Sequence, residues 1–218
     1  MSLTSDAAAA VVRLASRVRG ERVIHAKGRA FEGELRIDSA DLGVPLFDEP
    51  GEHRVLIRLS RGVGLPDLLP DALGLAIRVL DAHGPGRHQD LTLTTGARAP
   101  VLRHALLARR DVLGSTYTSI LPYDLGGRAW VLGALPATER TVTSLSGLRP
   151  EDVRFRLAVA HTRGPWRELG EMRATRVLPN GRRVRFSPFT TGGGIRPAGR
   201  LQELRKKAYD ASHVGRDA

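Results

Sequence analysis

The residues best equipped for chemistry stand almost at the end of the chain, in "RKKAYDASHVGR" (Arg205 to Arg216). With Arg205 on a helix at about 100° per residue, Tyr209, Ser212, His213 and Arg216 all fall on one stripe about 100° wide. Leu201, Leu204, Ala208 and Ala211 make the adjoining apolar stripe, and Lys206, Lys207, Glu203 and Asp210 take the remaining face. An arginine one turn before a tyrosine favours phenolate over phenol, because a close positive charge stabilises the ionised form. A phenolate is a hard anionic ligand for ferric iron, and tyrosine is one of the axial ligands of haem. Arg216 on the same stripe could hold a propionate through its guanidinium fork. The same pattern is also what a plain amphipathic helix with a tyrosine at its polar edge presents.

A ligand on one side of a haem leaves the other side in need of an acid–base group. "RVIHAKG" (Arg22 to Gly28) offers His25 with Arg22 three residues before it, and "IRLSR" (Ile57 to Arg61) offers Arg58 and Ser60. Two residues apart on a strand, Arg58 and Ser60 share a face. Taken singly, His25 also reads as a satisfied core histidine, Arg22 and Arg58 as surface arginines, and Ser60 as a strand-end hydroxyl. His53, His83, His88, His104 and His161 fit no motif and read as surface or packing residues.

The elements that must position these groups are mostly strands. "HRVLIRLSRG" (His53 to Gly62) alternates with period two, and "LGLAIRVLDA" and "QDLTLTTG" follow, separated by the turn at His83-Gly84-Pro85-Gly86. "RVIHAKGRAFEGELRID" reads as an extended segment, a glycine-containing turn and a strand. "APVLRHALLARRDVLG" (Ala99 to Gly114) has helical spacing, with Pro100 acceptable in a first turn. Residues 115–150 suggest loops and a short helix, "DVRFRLAVAHTRG" is a strand, and "EMRATRVLPNGRRVRFSP" reads as a hairpin turning at Asn180-Gly181. Successive strands lack crossover helices, so antiparallel pairing is expected. The reading is one α+β domain over residues 1–218, an antiparallel β-barrel with helices packed outside.

Composition narrows the function classes. The absence of cysteine excludes disulfides, iron–sulfur clusters and thiol nucleophiles, and agrees with a cytoplasmic protein. Arg13 interrupts the apolar N-terminal run, so the start reads as a short amphipathic helix rather than a signal peptide, and no stretch has membrane length. The net charge of +11 raises nucleic-acid binding, but the arginines are scattered and aromatics for base stacking make up only 5% of the chain.

In order along the chain, "RVIHAKG", "VLIRLSRGVGLPD", "GLAIRVLD", "DLTL" and R-x-x-x-Y-x-x-S-H-x-x-R resemble the haem catalases, as a reduced single-domain, catalase-related peroxidase member of that superfamily. The resemblance covers roughly residues 20–95 and 195–218, and residues 97–190 do not align. It implies haem b as cofactor, Tyr209 as iron ligand on a C-terminal helix, Arg205 as its charge partner, and Ser212 and His213 after it. It implies Arg22, Arg58 and Arg216 at the propionates, His25 as distal acid–base, and Ser60 as the hydroxyl orienting it. The catalases' peroxide-binding asparagine corresponds to Thr95, or to Thr94 with a one-residue slip; a hydroxyl is shorter and offers a single donor. The aromatic run that follows in catalases is missing from "GARAPVL". The expected activity is reduction of hydrogen peroxide or organic hydroperoxides, with a small organic co-substrate or electron donor. A hydroperoxide-rearranging enzyme like allene oxide synthase and a non-enzymatic haem carrier are the alternatives. No nucleic acid and no membrane partner is expected, and the assembly envisaged is a homodimer.

Overall fold

Period-two alternation in "HRVLIRLSR" does become a strand, because Val55, Ile57 and Leu59 can all be buried on one side while Leu56 and Arg58 stay partly exposed on the other. The same logic runs through most of the chain. The computed structural model describes residues 27–179, 181 and 184–198. Its strands are β1 (Lys27–Ile37), β2 (Gly51–Arg61), β3 (Leu73–Val79), β4 (Gln89–Thr95), β5 (Tyr117–Thr118), β6 (Tyr123–Leu125), β7 (Arg128–Pro136), β8 (Arg154–Ala160), β9 (Arg167–Val177) and β10 (Ile195–Pro197). All pairings are antiparallel. The ring runs β1-β2-β3-β4-β5-β7-β8-β9 and closes through β9 onto β1, while β6 and β10 extend from β7 outside it. Closure removes the exposed edges that an open sheet would present.

The interior is filled with apolar side chains. Phe31, Ile57, Ile77 and Leu91 are successive cross-strand partners on β1 to β4, and Leu59, Leu75 and Leu93 form the next layer. On the far side Tyr117 meets Phe155 edge-on at 5.6 Å and donates its hydroxyl to the Val112 carbonyl at 2.7 Å. Burial, with Asp111 nearby, pushes the Tyr117 phenol well above its usual range, so it stays protonated.

Several segments differ from the sequence expectation. "KGRAFEGELRI" is one continuous strand of 11 residues; Gly28 and Gly33 lie within it rather than at a turn. An added Cβ at Gly33 would stand 2.3 Å from the Arg173 carbonyl, so that glycine serves close strand approach. Residues 99–114 do not form a helix: a 3-10 turn at Leu102–His104 is all the helical backbone there. Backbone pairs to three different parts of the barrel hold the segment extended, from Val101 N–H to the Thr162 carbonyl, Leu107 N–H to Thr95, and Arg109 to Asp71 in both directions. Residues 115–150 contain β7, nine residues long, which the sequence masks because both its faces are buried. Of the expected hairpin, β9 is the only strand among the described residues, and residues 184–190 lie against Arg78 and Asp90. Among the described residues the single α-helix is α1 (Pro45–Asp48). The expected terminal helices lie outside the described residues.

Candidate functional site

Strand pairing decides which of the expected site residues can meet. Gly28, Ser60, Gly74, Thr94 and Thr118 are successive cross-strand partners on β1 to β5, and Ala30, Arg58, Ala76 and Thr92 form the next row. Their positions alternate with the core layers, so both rows face outward. Across β1 to β4 this makes a floor about 14 Å wide, taking about 4.8 Å per strand gap. Its side chains are small apart from Arg58, which leaves it flat enough for a planar group.

Arg58 is half-buried and donates from Nη1 to the Val184 carbonyl at 3.4 Å. Its guanidinium lies over β1, where an added Cβ on Gly28 would come within 2.6 Å of Nε. Glycine at 28 is thus what lets the cation cross that strand. Ser60 is 5% exposed and its hydroxyl donates to the Gly74 carbonyl at 3.4 Å. Thr94 is half-exposed and donates to the Leu73 carbonyl at 3.0 Å.

Thr95 is turned the other way. It belongs to the interior face with Leu91 and Leu93, is fully buried, accepts from Leu73 N–H at 3.2 Å and donates to the Leu107 carbonyl at 2.6 Å. It pins the 105–109 segment to the barrel end. Of the two threonines the sequence offered for the position of the catalases' asparagine, Thr94 shares the outer face with Ser60 and Thr95 does not. The inward choice follows from the pleat: a one-residue shift flips a side chain to the opposite face.

The third outer row borders the floor. Arg78 holds Asp90 through two hydrogen bonds of 2.7 Å, and the pair is overlaid by the 184–190 strap. Arg78 also donates to the Arg185 carbonyl at 2.7 Å and packs over the Phe186 ring, while Asp90 accepts from Ser187 N–H at 2.8 Å. The fully buried carboxylate stabilises the charged guanidinium and raises the pKa of Arg78. This ion-paired strap was not foreseen from sequence, since Arg78, Asp90 and Ser187 are far apart in the chain.

His25, Arg22, Arg205, Tyr209, Ser212, His213 and Arg216 lie outside the described residues. The other histidines all have local roles or none. His104 donates from Nδ1 to the Ile120 carbonyl at 2.7 Å, His161 stacks on Trp130 at 3.7 Å, and His83 pairs with Gln89 at 3.0 Å. His53 is partly buried, which lowers its pKa. Among the described residues no group of His, Asp and Glu side chains could hold a metal ion. No described helix is long and apolar enough to cross a membrane.

The closed eight-strand antiparallel barrel is a catalase-like fold. A fungal catalase superposes with a TM-score of 0.64 at 16% identity, over 94% of this chain and 62% of the catalase. A bacterial catalase gives 0.61 at 14% over 93% and 59%, and catalase A from Saccharomyces cerevisiae 0.62 at 12% over 93% and 63%. The chain therefore spans about six tenths of the length of these catalases. At such identities the likeness is one of fold alone. No known protein family and no curated protein matches the sequence.

Proposed function

We propose that this chain binds haem b against the outer floor of β1 to β4 and acts on a peroxide, using an organic co-substrate or electron donor. The observation that carries the reading is the floor itself: small residues over four strands, with the Arg58 cation at its border and the Ser60 hydroxyl within it. A planar, apolar macrocycle bearing carboxylates fits such a surface, and Arg58, with Arg22 and Arg216 on the strength of the sequence resemblance, are the residues we assign to its carboxylates. Haem supplies the redox-active iron. Tyr209 as phenolate is the ligand we assign to it, and Arg205 keeps the phenol ionised; Ser212 and His213 follow on the same stripe.

The chain's own acid–base group is His25. It lies three residues before Gly28, which pairs with Ser60, so covalent length limits the separation of the His25 and Gly28 α-carbons to about 10 Å. In this role His25 takes a proton from the incoming hydroperoxide and returns it to the leaving oxygen. Ser60, whose hydroxyl donates to the Gly74 carbonyl, is the group we assign to orient the imidazole.

Reconstitution with hemin and a visible spectrum test the proposal. The expected result is a stoichiometric Soret band with high-spin ferric character. His25→Ala should retain that band yet lose about 10²–10⁴-fold in peroxide-dependent oxidation, the range for a general acid–base. A chain that takes up no hemin, or a His25→Ala variant with unchanged turnover, overturns it.

A further inference from the structure

Residues 62–72, which join β2 to β3, turn apolar side chains outward and polar groups inward. Val63, Leu65, Leu68 and Leu69 are all exposed, Leu68 to 78%, and among the described residues the other exposed large apolar side chains are Val101, Leu102 and Val177. The loop is firmly braced. Asp71, buried, accepts from Val63 N–H at 3.0 Å, Gly64 N–H at 2.9 Å and Leu65 N–H at 3.1 Å. The fully buried Arg61 guanidinium stands 3.6 Å from the Asp71 carboxylate and donates to the Pro66, Leu69 and Thr143 carbonyls. The fold thus holds four apolar side chains in water on an ordered loop, the mark of a contact surface.

The chain's own N-terminal segment joins the barrel beside this surface. Lys27, the first residue of β1, is the cross-strand partner of Arg61, the last of β2. Residues 1–26 therefore reach the sheet about 5 Å from the point where the loop leaves it. At about 100° per residue, Ala7, Val11, Leu14, Ala15 and Val18 share one stripe about 100° wide. The charges are complementary as well. Residues 7–19 carry Arg13, Arg17 and Arg19 and no acidic residue, while the single charge among residues 63–70 is the half-exposed Asp67 carboxylate. Residues 19–26 tether stripe to barrel, and so short a linker gives an effective concentration on the order of millimolar.

We infer that the apolar stripe of residues 7–18 docks in cis on Val63, Leu65, Leu68 and Leu69. Docking ties down both ends of the 19–26 stretch, which carries Arg22 and His25; that consequence rests on the haem reading, whereas the docking and its test do not. Because the chain has no cysteine, Leu68→Cys supplies a lone thiol, and its rate of maleimide labelling is the probe. Labelling should be at least about tenfold slower than in the same protein carrying Val11→Asp, Leu14→Asp and Val18→Asp, the protection an intramolecular contact at such effective concentration gives. The control is Ser5→Asp, Ala9→Asp and Ser16→Asp, which adds the same charge off the stripe and should keep the thiol protected. Hydrogen exchange of the unaltered chain gives a second reading, with slowed amides expected over residues 11–18. Equal labelling rates in all three proteins, or free exchange over that segment, overturns the proposal. Protection that fades on dilution also overturns it, in favour of a second copy of the chain on the loop.

Discussion

Thr94 and Thr95 are adjacent, chemically identical and on opposite faces of the barrel wall, so replacing each with valine separates site from scaffold. Valine keeps the branched shape and deletes only the hydroxyl. In Thr95→Val the Leu73 N–H loses its acceptor and the Leu107 carbonyl its donor, both at the inner side of the wall. Each buried group left unpaired costs about 1–3 kcal/mol, so a destabilisation of about 3 kcal/mol is a moderate expectation for two. For a chain of this size that lowers Tm by about 6–12 °C. In Thr94→Val one bond to the Leu73 carbonyl is lost from a half-exposed position where water can replace it, at a cost of about 1 kcal/mol or less. Thermal melting of both variants, followed by peroxide turnover per bound haem well below either transition, reads the two effects apart. Thr95→Val should melt early and turn over normally; Thr94→Val should melt nearly as the parent and change turnover. A Thr95→Val protein of unaltered Tm with damaged turnover would refute the assignment of faces.

Three further outcomes follow from the same geometry. Ala76→Phe, in the middle of the floor and outside the core, should leave the fold intact but lower hemin uptake, measured by Soret titration against the parent. Asp90→Ala strands the half-buried Arg78 guanidinium and releases Ser187 N–H, and should cost about 3–5 kcal/mol in urea unfolding; Arg78→Met with Asp90→Leu should recover much of it. Burial lowers the pKa of His53 below its ordinary 6.5, so the folded state prefers it neutral: its contribution is intact above pH 6.5 and declines as pH falls through the lowered value. His53→Gln should flatten that part of the stability–pH curve, and an unchanged slope would show that another group sets it.

How much of this was legible depended on whether a strand has one wet face. β2, β3 and β4 expose part of one side, so Val55, Ile57, Leu75, Ile77, Leu91 and Leu93 stand out at period two and the strands could be read directly. In β7, Trp130, Leu132 and Ala134 pack inward while Gly133 on the other side is covered by the Trp166 ring, so every position reads apolar and no period survives. The 99–114 segment carries helix-spaced apolar residues, yet its N–H groups are taken by Thr162, Thr95 and Asp71, partners that no local pattern reveals. The orientation of Thr95, by contrast, was available: in "DLTLTTG" Leu91 and Leu93 fix the inward parity, and position 95 shares it. A motif aligned by residue order can slip by one without penalty; a pleated strand cannot.

That parity carries a chemical consequence for the reaction. A group facing bound peroxide helps by donating a hydrogen bond to it, and the Thr94 hydroxyl has one proton, already given to the Leu73 carbonyl. Toward the floor it can offer lone pairs only. The resemblance to catalases places an asparagine amide at the corresponding point, with two N–H groups, enough to hold a carbonyl and still donate outward. If the floor holds haem and peroxide as proposed, Thr94 would disfavour disproportionation and leave the floor to reactions with an organic co-substrate. Thr94→Asn should therefore raise oxygen release from hydrogen peroxide relative to oxidation of a donor dye, with the hemin spectrum retained. Thr95→Asn, placing an amide among Leu91, Leu93 and Leu73, should not do so and should instead destabilise the barrel, because the amide's extra polar groups have no partners there. If Thr94→Asn binds hemin and the ratio of the two activities stays where it was, the donor at this position is not what separates them.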